Sequence, residues 1–364
     1  MNRRTVRTPA IAVAALTLAL GLTACGAANE DGGSKAADSK LTGTLNAGGS
    51  SAQESAVAAW KKAFQTTNPD VTINYDPVGS GGGREQFLAG GLALAGSDAF
   101  LDDEELTKAK ERCSSDVVEV PTYISPIAVI FNVKGVDELN LSPKTIGGIF
   151  EGTITTWNDA AITADNPDAK LPATKITPVH RSDDSGTTKN FTDYLDQAAE
   201  GAWKGGAVET WPVKGGEAAE GTSGVVAAVT NGQGTIGYAD ASQAGELGKA
   251  NVKVGDSYTE VTPDAAAKIL DKSTQVEGRA ATDIAIEVDR KVAEKGVYPI
   301  VLVSYQIACQ TYDDKATADL VKGWLSYVTS AEGQDVAATD AGSAPLSDAV
   351  ADKVKTAVDS ISAA

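Results

Sequence analysis

The sequence predicts an α/β fold with two domains, and three observations lead to this expectation. Segments of strand character alternate repeatedly with segments whose apolar residues recur at helical spacing. Loops rich in glycine and serine stand between the end of a strand and the start of a helix. The chain has 364 residues, which is long enough for two α/β domains after a distinct N-terminal stretch.

The N-terminal stretch has the composition of an export signal. Arg3, Arg4 and Arg7 make its start basic, and the apolar run over 11–22 that follows is too short to span a bilayer comfortably. We therefore expect a cleaved signal peptide over 1–24.

The signal ends at a cysteine. Cys25 follows Leu22-Thr23-Ala24, which resembles the lipobox of bacterial lipoproteins, and that resemblance implies a lipid anchor on Cys25, with palmitate among its acyl groups. The alternative is an ordinary secretory signal followed by an incidental cysteine. Residues 26–40 carry no large apolar side chain, so they cannot offset the entropy of ordering. We expect 25–40 to form a flexible tether.

The charge balance excludes one class of partner. The chain carries 31 basic and 49 acidic residues, for a formal charge of −18, and nucleic acid is therefore not expected as a partner. The charge does not exclude a small anion as ligand, because exposed charges are screened beyond about 8 to 10 Å in physiological salt.

The remaining cysteines and the histidine decide between a disulfide and a metal site. Cys113 and Cys309 can form a disulfide in an exported chain, although two separately buried thiols are the alternative. His180 is the only histidine, so neither zinc nor another metal or cofactor is expected.

The folded part begins with a strand over 41–48 and a helix over 52–64. Ser50 or Ser51 suits the N-cap of this helix, and Asn68-Pro69 ends it. No internal repeat is present. Further strands are expected at 71–75, 89–95, 125–132, 175–181, 235–239 and 298–307, and further helices from 84 onward and at 190–195, 222–230, 263–270 and 316–329.

Three of the loops before helices have the composition of anion sites. Helix N-termini present unpaired N–H groups and a partial positive charge, and Gly-Ser loops at 49–51, 79–81 and 185–187 stand where helices begin. One such loop is usually only a turn. The combination with Arg181, whose planar fork fits two oxygens of a tetrahedral oxyanion and which Asp183 could hold in place, favours an anion-binding site over a surface ion pair.

Five segments carry a resemblance to a known family, and the last of them is the most specific. They are Gly79-Ser80-Gly81-Gly82-Gly83, Gly96-Ser97-Asp98-Ala99, Gly152-Thr153-Ile154-Thr155-Thr156-Trp157-Asn158-Asp159, Asn166-Pro167 with Leu171-Pro172, and Arg181-Ser182-Asp183-Asp184-Ser185-Gly186-Thr187. Through these segments the chain resembles the periplasmic phosphate-binding proteins of phosphate ABC importers, and the similarity extends from about residue 41 to the C-terminal region.

The resemblance implies a set of phosphate contacts. They are Ser51, Ala52, Ser80, Asp98, Arg181, Ser185, Gly186 and Thr187, with Asp183 behind Arg181. Ala52 stands where the family often has phenylalanine and would act through its backbone N–H. Ser51 replaces the usual threonine, and Gly81 replaces a serine.

Asp98 favours phosphate over sulfate. A carboxylate that faces an anion is repulsive unless the anion has a proton to donate, which phosphate has near neutral pH and sulfate lacks. By residue type alone, Asp98 could equally cap a helix that begins near Leu101.

The resemblance also implies a two-lobed fold of the type II periplasmic-binding-protein class, with the ligand in the cleft between lobes. Lobe I would combine 41–124 with 301–364, and lobe II would be 125–300. The implied protein is a monomeric, extracytoplasmic lipoprotein on the outer face of the cell membrane, whose partners are inorganic phosphate and the importer's permease subunits.

Two other functions are weighed. A receptor for sulfate or molybdate would share the fold. A phosphoester hydrolase with Ser185 as nucleophile would need His180 or Asp98 as base, but His180 lies only five residues before Ser185 on the strand side of the loop. We expect no catalytic residue.

Overall fold

The structure is a computed structural model that describes residues 41–364. The expected signal peptide over 1–24, Cys25 and the expected tether over 25–40 lie outside the described residues. Within the described part, no helix is both long and apolar enough to cross a membrane.

Strands and helices alternate along most of the described chain. The strands are β1 (Gly43–Gly49), β2 (Val71–Asp76), β3 (Leu94–Ser97), β4 (Val117–Asn132), β5 (Asn140–Leu141), β6 (Thr177–Arg181), β7 (Glu217–Ala219), β8 (Thr235–Asp240), β9 (Gly248–Lys249), β10 (Asn251–Val254), β11 (Ser257–Thr259), β12 (Thr274–Gln275), β13 (Ile286–Glu287), β14 (Val301–Cys309), β15 (Thr311–Tyr312) and β16 (Ser362–Ala363). The α-helices are α1 (Glu54–Thr67), α2 (Ser80–Leu88), α3 (Asp103–Cys113), α4 (Pro143–Phe150), α5 (Ala160–Asp165), α6 (Gly186–Ala198), α7 (Gly221–Asn231), α8 (Pro263–Ala267), α9 (Lys315–Val328), α10 (Ala331–Ala341) and α11 (Asp348–Asp359), and two 3₁₀ helices cover Ala241–Gln243 and Leu270–Lys272.

The main sheet is mixed, and it gives the fold two lobes. Its strands follow the order β2, β1, β3, β14, β4, β8, β6 and β7, and β9 pairs with β4. The long strand β4 belongs to both lobes, because Val117–Pro126 pair with β14 whereas Ile127–Asn132 pair with β8. We call the half with β1 to β3 and β14 lobe I and the half with β6 to β9 lobe II. The expected α/β, two-lobed fold is confirmed.

The loops that matter for function lie at the carboxyl ends of parallel strands. Strands β2 and β3 each pair in parallel with β1, and β6 pairs in parallel with β8. The loops after β1, β2, β3 and β6 therefore emerge at sheet edges, where α1, α2 and α6 begin close by. Ligands of open α/β sheets bind at such edges.

A segment that was expected in lobe II hydrogen-bonds to lobe I. The N–H of Glu119, in the lobe I half of β4, donates to the Thr282 carbonyl at 3.0 Å, and the N–H of Ile284 donates to the Glu119 carbonyl at 2.8 Å. Arg279 pairs with Asp283 at 3.0 Å and lies 3.8 Å from the Glu119 carboxyl group. These contacts cross the expected lobe boundary at 300 and link the segment before β14 to lobe I.

Two local expectations, and the alternative role of Asp98 as a helix cap, differ from the structure. Helix α1 has Gln53 as its N-cap instead of Ser50 or Ser51, and Ser50 Oγ accepts from the N–H groups of Ala52 and Gln53 in the turn just before the helix. The strand expected over 89–95 begins only at Leu94, because Gly90 adopts a φ of +78° and turns the chain. Asp98 does not cap a helix, since α3 is capped by Asp102.

A disulfide in lobe I joins the end of a helix to the end of a strand. Cys113, at the end of α3, is bonded to Cys309, at the end of β14, with an S–S distance of 2.03 Å and a Cα–Cα distance of 5.4 Å. Arg112 stacks its guanidinium over the Phe87 ring at 4.5 Å, so the bridge lies next to a packed aromatic side chain. The disulfide ties the two segments that flank the long insertion of lobe II.

Candidate functional site

The expected contact residues converge between the lobes. Ser51, Ala52, Ser80 and Asp98 lie in lobe I loops, and Arg181, Ser185, Gly186 and Thr187 lie at the end of β6 and the start of α6 in lobe II. All eight are buried. The chain thus encloses a polar cluster that four separate loops contribute.

Gly186 is one point of close approach between the lobes. An ideal Cβ added to Gly186 would lie 2.6 Å from Ser80 Oγ and 2.8 Å from Asp98 Cβ. Any larger residue would force the two loops apart. Glycine at this position therefore allows the backbone of α6 to reach the lobe I loops.

Asp98 accepts hydrogen bonds from hydroxyl groups of both lobes. Ser50 and Ser304 each donate to Oδ1 at 2.5 Å, and Thr187 donates to Oδ2 at 3.1 Å. The N–H of Asp98 donates to Ser80 Oγ at 3.1 Å. A carboxylate that is 3% exposed is thus surrounded by hydroxyl donors and has no cation as its direct partner within the described residues.

Arg181 is held by Asp183, as expected. Nε donates to Asp183 Oδ1 at 2.7 Å, and Nη2 forms a very short ion pair with Oδ2. Asp183 Oδ1 also accepts from the N–H of Gly221 at 3.1 Å. Burial alone would raise the pKa of Asp183, but the hydrogen bond and charge of Arg181 and the Gly221 N–H hold this pKa below its ordinary value.

Two further loops complete the cluster. The Ser51 hydroxyl lies 3.1 Å from Thr222 Oγ1 and accepts from the Thr222 N–H at 3.0 Å, so the N-terminus of α7 also reaches lobe I. The Gly81 N–H donates to the Asp184 carbonyl at 3.1 Å. The N-termini of α2, α6 and α7 therefore lie beside the same polar cluster, which makes its potential favourable for an anion.

Two expected contacts have internal partners in this structure. Ser185 is the N-cap of α6, and its Oγ accepts from the Thr188 N–H at 3.1 Å. The N–H of Ala52 donates to Ser50 Oγ at 3.1 Å. Ser185 still has a hydroxyl hydrogen that it can donate.

Four residues that the structure brings to the cluster were not predicted from the sequence as contacts. Ser50 was predicted as a helix cap and as part of the loop at 49–51, but not as a ligand contact, and Gly221 and Thr222 stand at the start of the helix expected over 222–230. Ser304 lies inside the buried strand β14, where one serine in an apolar run was the only trace. No local pattern ties Ser304 to Asp98, which lies 206 residues away.

A cavity of about 510 Å³ borders Asp98 at the flank of the cluster. Its two arginines are already paired, since Arg84 contacts Glu105 at 2.9 Å and Glu209 at 2.7 Å, and Arg290 contacts Asp193 at 2.9 Å. Within the described residues, no group of three or more histidine, cysteine or acidic side chains is arranged to hold a metal ion. The candidate anion-binding site is therefore the cluster of hydroxyl groups beside the N-termini of α2, α6 and α7, and not this cavity.

Comparison with known proteins assigns the family. Residues 34–332 match the model of the PBP superfamily domain. The phosphate-binding protein PstS 3 of Mycobacterium tuberculosis is 37% identical over 324 residues, which cover 87% of this chain and 86% of that protein. The chain belongs to the PstS family. The PstS2 protein of Mycobacterium bovis is 36% identical to this PstS-family chain over 364 residues, covering 94% and 95% of the two chains.

Solved structures agree on the fold of this PstS-family chain. A high affinity periplasmic phosphate-binding protein (PfluDING), solved with phosphate, has a TM-score of 0.71 at 22% identity and covers 86% of this chain and 93% of its own. A phosphate ABC transporter substrate-binding protein from Clostridium perfringens, described as putative and solved with bound phosphate, has a TM-score of 0.62 at 20% identity and covers 84% and 100%. At these identities, the likeness concerns the two-lobed architecture.

Proposed function

We propose that this protein binds inorganic phosphate between its two lobes and delivers it to an ABC phosphate importer. The observation that carries the proposal is the buried Asp98 carboxylate, which faces hydroxyl donors of both lobes beside three helix N-termini. The relatives that share more than a third of its sequence are named phosphate-binding proteins. A binding role, without turnover, accounts for these features.

Most of the cluster would neutralise the charge of the anion. Arg181, fixed by Asp183, would donate to two phosphate oxygens, and Ser51, Ser80, Ser185 and Thr187 would donate hydroxyl hydrogens. The N–H groups of Ala52 and Gly186 would complete the shell. Short hydrogen bonds in a dry site are effective whatever the net charge of the surface, because the surface charges are screened.

Asp98 would provide the selectivity. A protonated phosphate oxygen can donate to the carboxylate, whereas sulfate would place an acceptor against an acceptor and leave both without a partner. Penalties of this kind can produce about 10⁴-fold discrimination.

The ligand would stabilise the closed arrangement of the lobes. Its contacts come from both sides of the cleft, with lobe I at 41–124 and 301–364 and lobe II at 125–300, so binding shifts the population toward closure. The permease subunits of the importer would recognise the closed form.

The N-terminus would keep the protein at the membrane. In this proposal the signal peptide over 1–24 is removed, Cys25 receives the lipid, and 25–40 link it to the folded part. The protein would act as a monomer at the outer face of the cell membrane.

Titration calorimetry with phosphate, arsenate and sulfate tests the proposal. We expect tight phosphate binding, no sulfate heat in the wild type, and measurable sulfate binding by Asp98→Asn, whose amide can donate to sulfate. Asp319→Asn is the matched control, because Asp319 pairs with Lys315 on the surface of α9, and it should behave like the wild type. Tight sulfate binding without phosphate heat would assign the site to another oxyanion. Sustained release of product from a chromogenic phosphoester, proportional to protein, would contradict a purely binding role.

A further inference from the structure

Two serines that were not among the expected ligand contacts converge on one oxygen of Asp98. Ser50 Oγ and Ser304 Oγ each lie 2.5 Å from Asp98 Oδ1. Both serines are 0% exposed and Asp98 is 3% exposed. The direction in which the hydrogens of these bonds point can be deduced from the other partners of the two hydroxyls.

Ser50 must donate to Asp98. Its Oγ accepts from the N–H groups of Ala52 at 3.1 Å and Gln53 at 3.3 Å. A serine hydroxyl has two acceptor positions and one hydrogen, and a backbone N–H can only donate. The two N–H groups fill the acceptor positions, so the only hydrogen of Ser50 is directed at Asp98 Oδ1.

Ser304 must donate as well. Gln53 Nε2 donates to the Tyr305 carbonyl at 2.9 Å, and since a carbonyl only accepts, this contact fixes the orientation of the amide. The same Nε2 donates to Ser304 Oγ at 2.5 Å. The hydrogen of Ser304 then has Asp98 Oδ1 at 2.5 Å as its acceptor, and the next candidate, the Ser97 carbonyl, lies at 3.5 Å.

We propose that Ser50 and Ser304 are positioning residues that occupy Oδ1 of Asp98 with two donors and thereby leave Oδ2 as the acceptor for a ligand proton. The inference rests on the proposed function and names the residues that set its specificity. Oδ2 faces Thr187 across the cleft at 3.1 Å. The polarity of the relay from Gln53 through Ser304 to Asp98 makes the carboxylate a fixed acceptor, which rejects fully ionised anions.

Loss of one donor should weaken this rejection. With one of its two donors gone, Oδ1 no longer fixes the orientation of the carboxylate, which can then turn away from the ligand and reduce its repulsion of a sulfate oxygen. Phosphate gains nothing from this change, because its proton loses an acceptor. The ratio of the sulfate to the phosphate dissociation constant should therefore fall, and this is a readout that a packing defect would leave unchanged.

The test measures this ratio by calorimetry on the full chain. We expect Ser304→Ala and Ser50→Ala each to lower it by about tenfold or more, and Ser304→Thr, which restores the hydroxyl, to recover the wild-type ratio. Ser343→Ala is the control, because Ser343 is a buried serine whose Oγ accepts from the Ile124 N–H at 3.3 Å, and it should keep the ratio. Thermal unfolding of each variant confirms that it is folded.

The outcomes separate the two proposals. If the wild type does not bind phosphate, the proposed function fails. If the wild type prefers phosphate and the serine variants weaken both anions equally, with the ratio unchanged, the function stands and the positioning role of Ser50 and Ser304 is wrong. If Ser304→Ala does not fold, Ser50→Ala and Ser304→Thr still decide, because an unchanged ratio in Ser50→Ala contradicts the inference.

Discussion

Arg84 Nη2 lies 2.7 Å from Glu209 Oε2, and this ion pair joins α2 of lobe I to the segment that follows α6 in lobe II. The side chain of Arg84 is 6% exposed, and that of Glu209 is 21% exposed. Arg84 also contacts Glu105 at 2.9 Å and Ser97 Oγ at 2.9 Å, and these contacts hold its guanidinium in place on lobe I. The pair therefore acts as a link across the cleft beside the ligand cluster.

Glu209→Gln should speed the release of phosphate. The closed form loses an inter-lobe charge pair while Arg84 keeps Glu105, so we expect a loss of about 1 kcal/mol, or roughly fivefold in affinity, seen mainly in the dissociation rate. Stopped-flow measurement of phosphate release checks this. Glu104→Gln is the matched control, because Glu104 pairs with Lys108 on the exposed face of α3. Equal release rates in the two variants would show that the pair does not hold the closed form.

Gly186→Ala should abolish phosphate binding with little loss of stability in the ligand-free protein. The added Cβ would clash with Ser80 Oγ and Asp98 Cβ, at 2.6 and 2.8 Å, and opening of the lobes relieves the clash at the cost of the ligand contacts. We expect at least a roughly 100-fold loss of affinity. Gly224→Ala, within α7, is the control, since a Cβ added to Gly224 would lie 3.6 Å from its nearest neighbour, Ala219. Calorimetry and thermal unfolding of both variants provide the comparison, and wild-type affinity in Gly186→Ala would refute the close approach.

Removal of the disulfide should destabilise the protein. The bond between Cys113 and Cys309 closes a loop of 196 residues, which restricts the unfolded chain, and losses of about 2 to 5 kcal/mol are typical. Urea unfolding of the Cys113→Ala/Cys309→Ala double variant measures the change. A reducing agent should lower the stability of the wild type and leave the double variant unaffected, so equal sensitivity of the two to reduction would contradict the prediction.

Asp240 should make stability depend on pH. Burial raises its pKa to about 6, against hydrogen bonds from Ser242 and Tyr123 that favour the charged form. Because the folded-state pKa lies above the unfolded value, this contribution is fully present below about pH 4 and is lost as the pH rises through about 6, with a size of up to about 3 kcal/mol.

Asp240→Asn isolates this contribution from the other carboxyl groups. The free energy of unfolding of the wild type and of this variant is measured in urea between about pH 4.5 and 7, the range in which Asp240 titrates. The stability of the wild type relative to the variant should fall as the pH rises. Asp319→Asn, at an exposed position on α9, should show no such trend. A difference that is constant with pH would mean that Asp240 titrates normally.

The sequence predicted the elements whose patterns are local. The alternation of strands and helices, the extents of β2 and α1 to within a few residues, and the three glycine and serine loops all follow from periodicity and turn chemistry. Half of β4 was missed because Glu119 and Pro121 interrupt its apolar run. The structure accommodates both, since Glu119 lies beside Arg279, and Pro121 lies where the pairing with β14 shifts its register next to Ser304.

The side chains proposed to bind an oxyanion could be predicted from the sequence alone, because the motif from Arg181 to Thr187 and the loop at Asp98 carry their chemistry in adjacent residues. How Asp98 is held became visible only in the folded chain. Ser50 and Ser304 lie 48 and 206 residues from Asp98 along the chain, and a hydrogen bond over such a separation leaves no periodic trace in the sequence. The folding of β14 next to β3 brings these hydroxyls together, and their other hydrogen bonds fix which atoms donate.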